Sequence, residues 1–335
     1  MKRILLLVTF AILLSSTMFA QKKTTRKIYL WDVTLSMKGY EGGVYHSDDP
    51  ERNIYDKVVE WLINDIEKIK NPSTEIIVLP FQEKILDVIK SDDASNESKK
   101  LIAKRIKEFY NGDVTYTNIS GPLSEAYNTY ALNSRYNDFV ILTDGGQNTA
   151  GGNDALNRAL DRFRKTDSIA PESFLYYVLL TEKAKRDTDI REGKDIVIIG
   201  PGDSTRERMH IALCNNKISY QLKDESKSIE ISLSADGNIP ERAKMRVFAD
   251  CQEYGIKIDE VVNVKDNELE VNISYDLESI KYEIPEIYEL PFTIELLNFN
   301  EVSKADNINL TPQKLRGTLK LINKPYKTLS VKLKK

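Results

Sequence analysis

The sequence predicts two folded domains, a doubly wound α/β domain followed by a small all-β sandwich. From residue 27 to about residue 222, short apolar runs alternate with segments whose apolar residues recur at helical spacing. Beyond about residue 223, apolar and polar residues alternate strictly. Unbroken apolar strands indicate a mostly parallel sheet covered on both faces, whereas a period of two indicates strands with one buried face. A length of 335 residues suits two domains.

The first domain is predicted over residues 25–222. Buried strands are predicted at residues 28–31, 76–79, 139–142, 175–180 and 196–199, and helices at about 54–69, 98–110, 123–130 and 152–164. Pro80 is expected to stop the second strand, and residues 85–89 to form its hairpin partner.

The second domain is predicted over residues 229–335, after a polar linker at 223–228. Period-two strands are expected near residues 229–233, 269–273, 292–296, 319–321 and 329–333. Asp-Gly, Asp-Asn and proline-containing turns between them indicate an antiparallel, immunoglobulin-like sandwich. Cys214 and Cys251 are the two cysteines, and the sequence leaves open whether they form a disulfide or stay as thiols.

Residues 1–20 have the plan of a secretory signal peptide. Lys2 and Arg3 precede an apolar run at residues 4–16, and Ala20 offers a small residue at the cleavage point. An uncleaved membrane anchor is the alternative, but the run is shorter than the roughly 20 residues that a bilayer span needs. Met18 is larger than ideal for cleavage, and no cysteine near residue 20 indicates a lipoprotein. We therefore expect a periplasmic or secreted protein without a transmembrane segment after cleavage.

Charge argues mildly against a nucleic-acid partner. The chain carries 48 basic and 51 acidic residues, a formal net charge of −3, so no strongly basic field is available to hold a polyanion.

Three polar segments follow predicted strands or precede a predicted helix. The first supplies Asp32, Thr34 and Ser36 from one loop, the second contains Thr117, and the third contains Asp144. Loops at the carboxyl ends of neighbouring parallel strands face one crevice. Two carboxylates and three hydroxyls form an all-oxygen set suited to Mg²⁺, Mn²⁺ or Ca²⁺. Zinc or copper would require more than the two histidines, His46 and His210.

This constellation resembles the von Willebrand factor A (vWA) family, a Rossmann-like fold with a metal-ion-dependent adhesion site. The family pattern is Asp-x-Ser-x-Ser, then a threonine ahead of a helix, then Asp in a Thr-Asp-Gly turn. The resemblance covers about residues 25–222 and implies the metal ligands Asp32, Thr34, Ser36, Thr117 and Asp144. Thr34 departs from the usual serine but keeps a hydroxyl, and the family's spacing favours Thr117 over Thr115. Relative to the family pattern, residues 39–50 look like an insertion before the first helix. In this family an acidic side chain of a protein partner completes the metal's coordination.

Structural explanations exist for each segment taken alone. Asp32 is a residue type that caps helices, and Asp144-Gly145-Gly146 is a common turn sequence. A second metal site is one interpretation of His46 and its acidic neighbours, but a solvated acidic loop explains them better. The three segments together favour a metal site.

The resemblance therefore predicts an exported, metal-dependent protein-binding module. No nucleophile or general base accompanies the metal residues in the sequence, so no catalytic residue is assigned and an enzyme is not expected. The alternatives are a metal-assisted hydrolase and an envelope-complex scaffold with a non-functional metal site.

Overall fold

The computed structural model divides into two compact units, Met1–Thr205 and Arg206–Lys335. The residues it describes are 24–109, 116–145, 147, 152–164, 173–187, 190, 195–222, 227–235, 237–276 and 284–323. The predicted signal peptide, Thr115, most of the predicted linker and the strand expected at 329–333 lie outside these residues. None of the described helices is long and apolar enough to cross a membrane.

The first unit contains a six-stranded, mostly parallel sheet. Its strands, with those of a small separate hairpin, are β1 (Thr24–Asp32), β2 (Tyr40–Glu41), β3 (Val44–Tyr45), β4 (Glu75–Phe81), β5 (Ile89–Ser91), β6 (Arg135–Leu142), β7 (Ser173–Val178) and β8 (Ile196–Ile199). The order across the sheet is β5-β4-β1-β6-β7-β8. All pairs are parallel except β4 with β5. The parallel sheet expected from the apolar runs is confirmed.

Helices follow the strands at the positions that the helical spacing predicts. They are α1 (Tyr55–Glu67), α2 (Asn96–Glu108), α3 (Ser120–Tyr130), α4 (Gly152–Arg164) and the short α5 (Glu182–Asp187), which the sequence analysis missed. Ser95 caps α2 by accepting a hydrogen bond from Ser98 N. Because each helix is amphipathic, burial of its apolar stripe against the sheet stabilises it more than intrinsic propensity does.

Alternate residues of the strands pack on opposite faces of the sheet. On one face, Ile28 and Leu30 belong to a core cluster that includes Leu123 of α3 and Leu160 of α4. On the other face, the ring of Trp31 lies 5.7 Å from that of Tyr55 at the start of α1. The central residues of strand β1 are therefore covered on both faces, and Asp32 follows them at the carboxyl end of the strand.

Pro80 does not stop β4, which continues to Phe81. The carbonyl of Pro80 accepts a hydrogen bond from Leu86 N, on the side away from β1, whereas the carbonyl of Phe81 accepts from Val33 N. Strand β5 pairs only with residues Ile76, Ile77 and Val78. Pro80 therefore lies beyond the part of β4 that pairs with β5, so no hydrogen bond to β5 is lost through its missing N–H.

The boundary between the units comes earlier than the predicted linker at 223–228. Both the N–H and the hydroxyl of Thr205 donate to the buried Asp65 carboxylate of α1, at 2.9 and 2.8 Å. The next strands, β9 (Glu207–Leu213) and β10 (Lys217–Gln221), pair with strands of the second unit. Residues 206–222, assigned by sequence to the first domain, therefore belong to the second.

The second unit is built from two sheets whose buried residues alternate along the strands. Its further elements are β11 (Ser228–Ala235), β12 (Lys244–Cys251), β13 (Ile256–Asn263), β14 (Glu268–Asn272), β15 (Ile287–Leu296), α6 (Phe299–Asp306), β16 (Ile308–Thr311) and β17 (Lys314–Ile322). The sheet orders are β10-β17-β15-β12-β13 and β14-β11-β9-β16. Strands β11, β14, β15 and β17 match the predicted period-two segments, while β12, β13, β16 and α6 were not predicted.

The second unit departs from the predicted purely antiparallel arrangement. The pairs β10–β17 and β9–β16 are parallel, because β9 and β10 enter the sheets from the segment that the sequence analysis placed in the first domain. Cys214 and Cys251 are free thiols. The buried Cys251 donates its S–H to the Tyr288 hydroxyl at 3.3 Å, which settles the question that the sequence left open.

The revised boundary predicts how fragments of the chain behave. A fragment of residues 24–205 should unfold cooperatively, because it keeps the Thr205–Asp65 bonds and every partner of its sheet. A fragment ending at residue 222 should be no more stable and should self-associate, because it exposes unpaired β9 and β10. Urea denaturation measures the stability of both fragments, and light scattering measures their self-association. If the fragment ending at residue 222 is soluble and more stable while the fragment ending at residue 205 is unfolded, the boundary predicted from the sequence is correct.

Candidate metal centre

The predicted ligands meet at the edge where the parallel strands end, referred to below as the carboxyl edge. Asp32 is the last residue of β1, and Trp31 pairs in register with Leu142, the last residue of β6. Thr143 and Asp144 follow at once, so the two segments emerge side by side. Parallel neighbours lie roughly 4.8 Å apart, which brings side chains that are remote in sequence within reach of one another.

Asp32 is fully buried and organises the site through three hydrogen bonds. Its Oδ1 accepts from the N–H and the hydroxyl of Thr34, at 3.0 and 2.7 Å. Its Oδ2 accepts from the Thr143 hydroxyl at 2.8 Å. The contact with Thr34 N closes an Asx turn, so Asp32 shapes its own loop and does not cap a helix. None of these donors carries a positive charge.

The three predicted hydroxyl ligands form one connected set. Thr34 Oγ1 lies 2.9 Å from Ser36 Oγ and 3.2 Å from Thr117 Oγ1. Either oxygen can be the donor in each of these two contacts, and lone pairs not used in them remain for a cation. Octahedral Mg²⁺ sites have bonds of about 2.0–2.1 Å, so their adjacent ligand oxygens lie about 3 Å apart. The hydroxyl spacing matches that geometry.

Two side chains that the sequence analysis missed hold the ligand loops together. Gln82, just after β4, donates from Nε2 to Val33 O at 3.2 Å. The backbone carbonyl of Gln82 accepts from Asn118 N at 3.1 Å. Gln82 thereby ties the loop of Asp32 to the loop of Thr117. Asn118 Oδ1 in turn accepts from Gly121 N at 3.1 Å and fixes the start of α3 directly after Thr117.

Gln147 makes the corresponding link on the other side of the site. Its Oε1 accepts from Ser120 N at 3.0 Å, and its Nε2 donates to Gly152 O at 2.9 Å. The start of α3 is thus joined to the segment that follows Asp144. Gln147 lies in the predicted Thr-Asp-Gly segment, but nothing in the sequence shows that its partner is Ser120.

The electrostatics of the site are those of two neighbouring carboxylates. Burial and, second, the negative charge of Asp144 raise the pKa of Asp32 from 3.8 to about 7. The hydrogen bonds from Thr34 and Thr143 oppose this rise but do not cancel it. A divalent cation between the carboxylates would remove the repulsion and supply the positive charge that these neutral donors lack.

An orphaned polar atom also points to a missing group. Tyr177 of β7 is fully buried, and its hydroxyl has no hydrogen-bond partner among the residues that the structure describes. The charges of Asp144 and Asp32 both act on it, after burial, to raise its pKa. Buried hydroxyls are almost always hydrogen-bonded, so the oxygen set, the carboxylate pair and this hydroxyl all fit a hydrated hard cation.

A softer metal does not suit the chain as far as it is described. Among the described residues, no group of three or more His, Cys, Asp or Glu side chains can hold a metal ion. The candidate centre has two carboxylates and takes its other oxygens from hydroxyls. Around His46, Asp49 pairs with Arg52 at 3.2 Å, in agreement with a solvated loop.

Comparison with known proteins gives distant structural similarities. No protein-family model and no curated protein matches the chain. Proximal thread matrix protein 1 from the mussel byssus shares 14% identity and a TM-score of 0.35, over 53% of this chain and 41% of that one. The ArnB paralog VWA2 from Sulfolobus acidocaldarius shares 12% identity and a TM-score of 0.37, over 90% of this chain and 67% of that one. The pilus adhesin SpaC from Lactobacillus rhamnosus GG shares 8% sequence identity with a TM-score of 0.33, over 83% of this chain and 43% of the adhesin.

The structural neighbours thus include a vWA-type protein and an adhesin. The chain spans less than half the length of the mussel protein and of the adhesin. Identities and TM-scores this low transfer no function, and the function proposed below rests on the residues of this chain.

The raised pKa of Asp32 predicts how the metal-free protein responds to pH. The folded state keeps a proton on Asp32 between pH 3.8 and about 7, whereas the unfolded state releases it, so the free energy of unfolding falls as pH rises through that window. In EDTA the melting temperature should drop by several degrees between about pH 5 and pH 8. Mg²⁺ should reverse the drop.

Asp32→Asn is the matched variant for this pH experiment, since it keeps the size of the side chain and cannot ionise. Its melting curve in EDTA should depend less on pH than that of the wild type. Equal pH dependence in the two proteins would show that Asp32 has no raised pKa.

Proposed function

We propose that the first unit is a vWA-type domain that holds Mg²⁺ or a similar hard cation and uses it to bind a protein partner through an acidic side chain. The proposed ligands are Asp32, Thr34, Ser36, Thr117 and Asp144. The observation that carries the proposal is the connected oxygen set around the buried Asp32, whose hydroxyls are spaced like the ligands of an octahedral cation. Mn²⁺ and Ca²⁺ are the other candidate ions.

The burial of the ligands indicates where the partner approaches. Asp32, Thr34 and Thr117 are buried, whereas Ser36 and Asp144 are partly exposed. A coordination position left open by the protein therefore faces solvent on the side of Ser36 and Asp144. Two anionic ligands just balance a divalent charge, and a further carboxylate is a hard oxygen donor that such an ion accepts readily. An acidic side chain of a partner suits that position.

The insertion after the first ligand loop supplies a rim for this face. Residues 40–45, called the rim hairpin, begin four residues after Ser36 and turn at Gly42 and Gly43, both of which have positive φ. On the rim hairpin, Glu41 pairs with Lys183 of α5 at 3.1 Å. Since β6 lies between β1 and β7 in the sheet, a segment that leaves β1 and reaches the helix after β7 passes the end of β6, where Asp144 lies.

The exposed residues of the rim hairpin suit a protein partner. Val44 and Tyr45 are both 56% exposed, and the ring of Tyr45 is held against Tyr40 at 4.8 Å. Aromatic residues are enriched in protein interfaces, where they contribute large contact areas.

Export belongs to the same proposal. Cleavage after Ala20, predicted from the basic and apolar start of the sequence, would leave a periplasmic or secreted protein. The aqueous space outside the cytoplasm contains divalent cations and the surface proteins that an adhesive module binds. N-terminal sequencing of the mature protein tests the cleavage.

Cation binding should depend most on the two carboxylates. Asp32→Asn or Asp144→Asn should weaken Mg²⁺ and Mn²⁺ binding at least tenfold, because bonds to charged groups contribute roughly 1.5–3 kcal/mol. Thr117→Ala should weaken binding less, and Thr117→Ser should restore it. Calorimetric titration measures the affinity of each variant, and Asp56→Asn, at an exposed residue of helix α1, is the control. If the wild type and Asp144→Asn bind both ions equally, the ligand assignment is wrong.

Partner binding should depend on the cation and on the rim hairpin. Wild-type protein immobilised in Mg²⁺ should retain envelope proteins that EDTA releases, and Asp144→Asn should not retain them. Val44→Ser should weaken retention of the same proteins roughly tenfold, as expected for loss of an apolar anchor. Val261→Ser on β13, where the valine is 55% exposed, is the matched control. Retention that persists in EDTA, or equal loss in both valine variants, would contradict this account.

A further inference from the structure

Tyr177 lies in the core directly beneath the candidate metal centre. It pairs in register with Ile141 of β6, two residues before Thr143. Because side chains alternate along a strand, Ile141 and Thr143 point to the same face, and Tyr177 shares that face through its place in the same core cluster. The aromatic ring is therefore packed by apolar neighbours, and its polar end is the part that the core cannot satisfy.

The Tyr177 hydroxyl can act only as a neutral donor or acceptor. Burial, followed by the charges of Asp144 and Asp32, raises its pKa well above the ordinary range of tyrosine, so the phenol keeps its proton. Close negative charges favour a hydroxyl whose hydrogen points toward the site. Within the described part of the chain, the hydroxyl nevertheless has no partner, an arrangement that folded proteins normally avoid.

Among the described residues, Asp32 is bonded to Thr34 and Thr143 and not to Tyr177: its Oδ1 accepts from Thr34, and its Oδ2 accepts from Thr143. An oxygen that arrives with the cation would give the Tyr177 hydroxyl a partner. Mg²⁺ loses its water reluctantly and usually keeps several water molecules in protein sites, and a cation-bound water is a ready acceptor and donor.

We propose that Tyr177 is a positioning residue of the metal centre, whose hydroxyl hydrogen-bonds a water molecule bound to the cation. This inference rests on the proposed function, since it requires the cation. The bond orients the water and so helps to set which coordination positions stay open toward Ser36 and Asp144. A tyrosine inside an apolar strand thereby links the core of the unit to its ligand-binding edge.

Tyr177→Phe tests this role, because it removes the hydroxyl and keeps the ring. Mg²⁺ affinity, measured by calorimetry, should fall about tenfold, the loss expected for one hydrogen bond within a charged site. In EDTA the melting temperature should be unchanged or higher, since the metal-free protein loses only an unpaired hydroxyl. A purely structural role would instead lower the melting temperature equally with and without Mg²⁺.

A spectroscopic signature separates this inference from the proposed function. Mg²⁺ should perturb the tyrosine absorption band of the wild type, and the difference spectrum should be lost in Tyr177→Phe. Tyr176→Phe is the matched control, because Tyr176 is also fully buried but points to the opposite face of β7. If Tyr177→Phe binds Mg²⁺ with wild-type affinity and keeps the difference spectrum, the inference is wrong. If the wild type binds no cation, the proposed function has failed.

Discussion

The placement of two neighbouring carboxylates, one of them fully buried, at one edge of a parallel sheet is the constraint on which the candidate site depends. Parallel strands all end at the same edge, so polar residues that follow β1 and β6 must lie side by side. Asp32 is buried there beside the charge of Asp144, and its pKa rises accordingly. Its hydrogen bonds come from neutral donors only. Such an arrangement is costly for the metal-free fold and favourable once a divalent cation is present.

The scaffold around this pair keeps the ligands in place without adding charge. Gln82 and Gln147 connect three loops that are far apart in sequence, and each does so through backbone groups. Amide side chains can donate and accept at once, which suits them to joining loops near an ion without competing with it. The rim hairpin extends the same edge toward α5 through the Glu41–Lys183 pair. A rigid edge of this kind favours pre-organised binding over rearrangement.

Residue patterns predict the parallel sheet and the five candidate ligands because both depend on the order of residues within short segments of the chain. Asp32 and Asp144 directly follow buried strands, so their meeting point follows from sheet geometry alone. Tyr177 was not predicted, because a tyrosine within an apolar run is typical of ordinary core. Likewise, β9 pairs with β16 and β10 with β17 across 101 positions of the chain, as Met209 with Leu310 (310 − 209) and Ile218 with Leu319 (319 − 218) show. Pairing over such a separation leaves no local signal, and the domain boundary was therefore placed too late.

The most direct measurement is the anomalous X-ray scattering of Mn²⁺ in crystals of the first unit. The account predicts one strong anomalous peak at the carboxyl edge, within bonding distance of the Ser36 and Thr117 hydroxyls, with Asp32 and Asp144 contacting the ion directly or through water. A second data set from Asp144→Asn crystals should show the peak weakened or lost. A well-ordered edge without a peak at saturating Mn²⁺, or a peak that excludes these residues, would contradict the central claim.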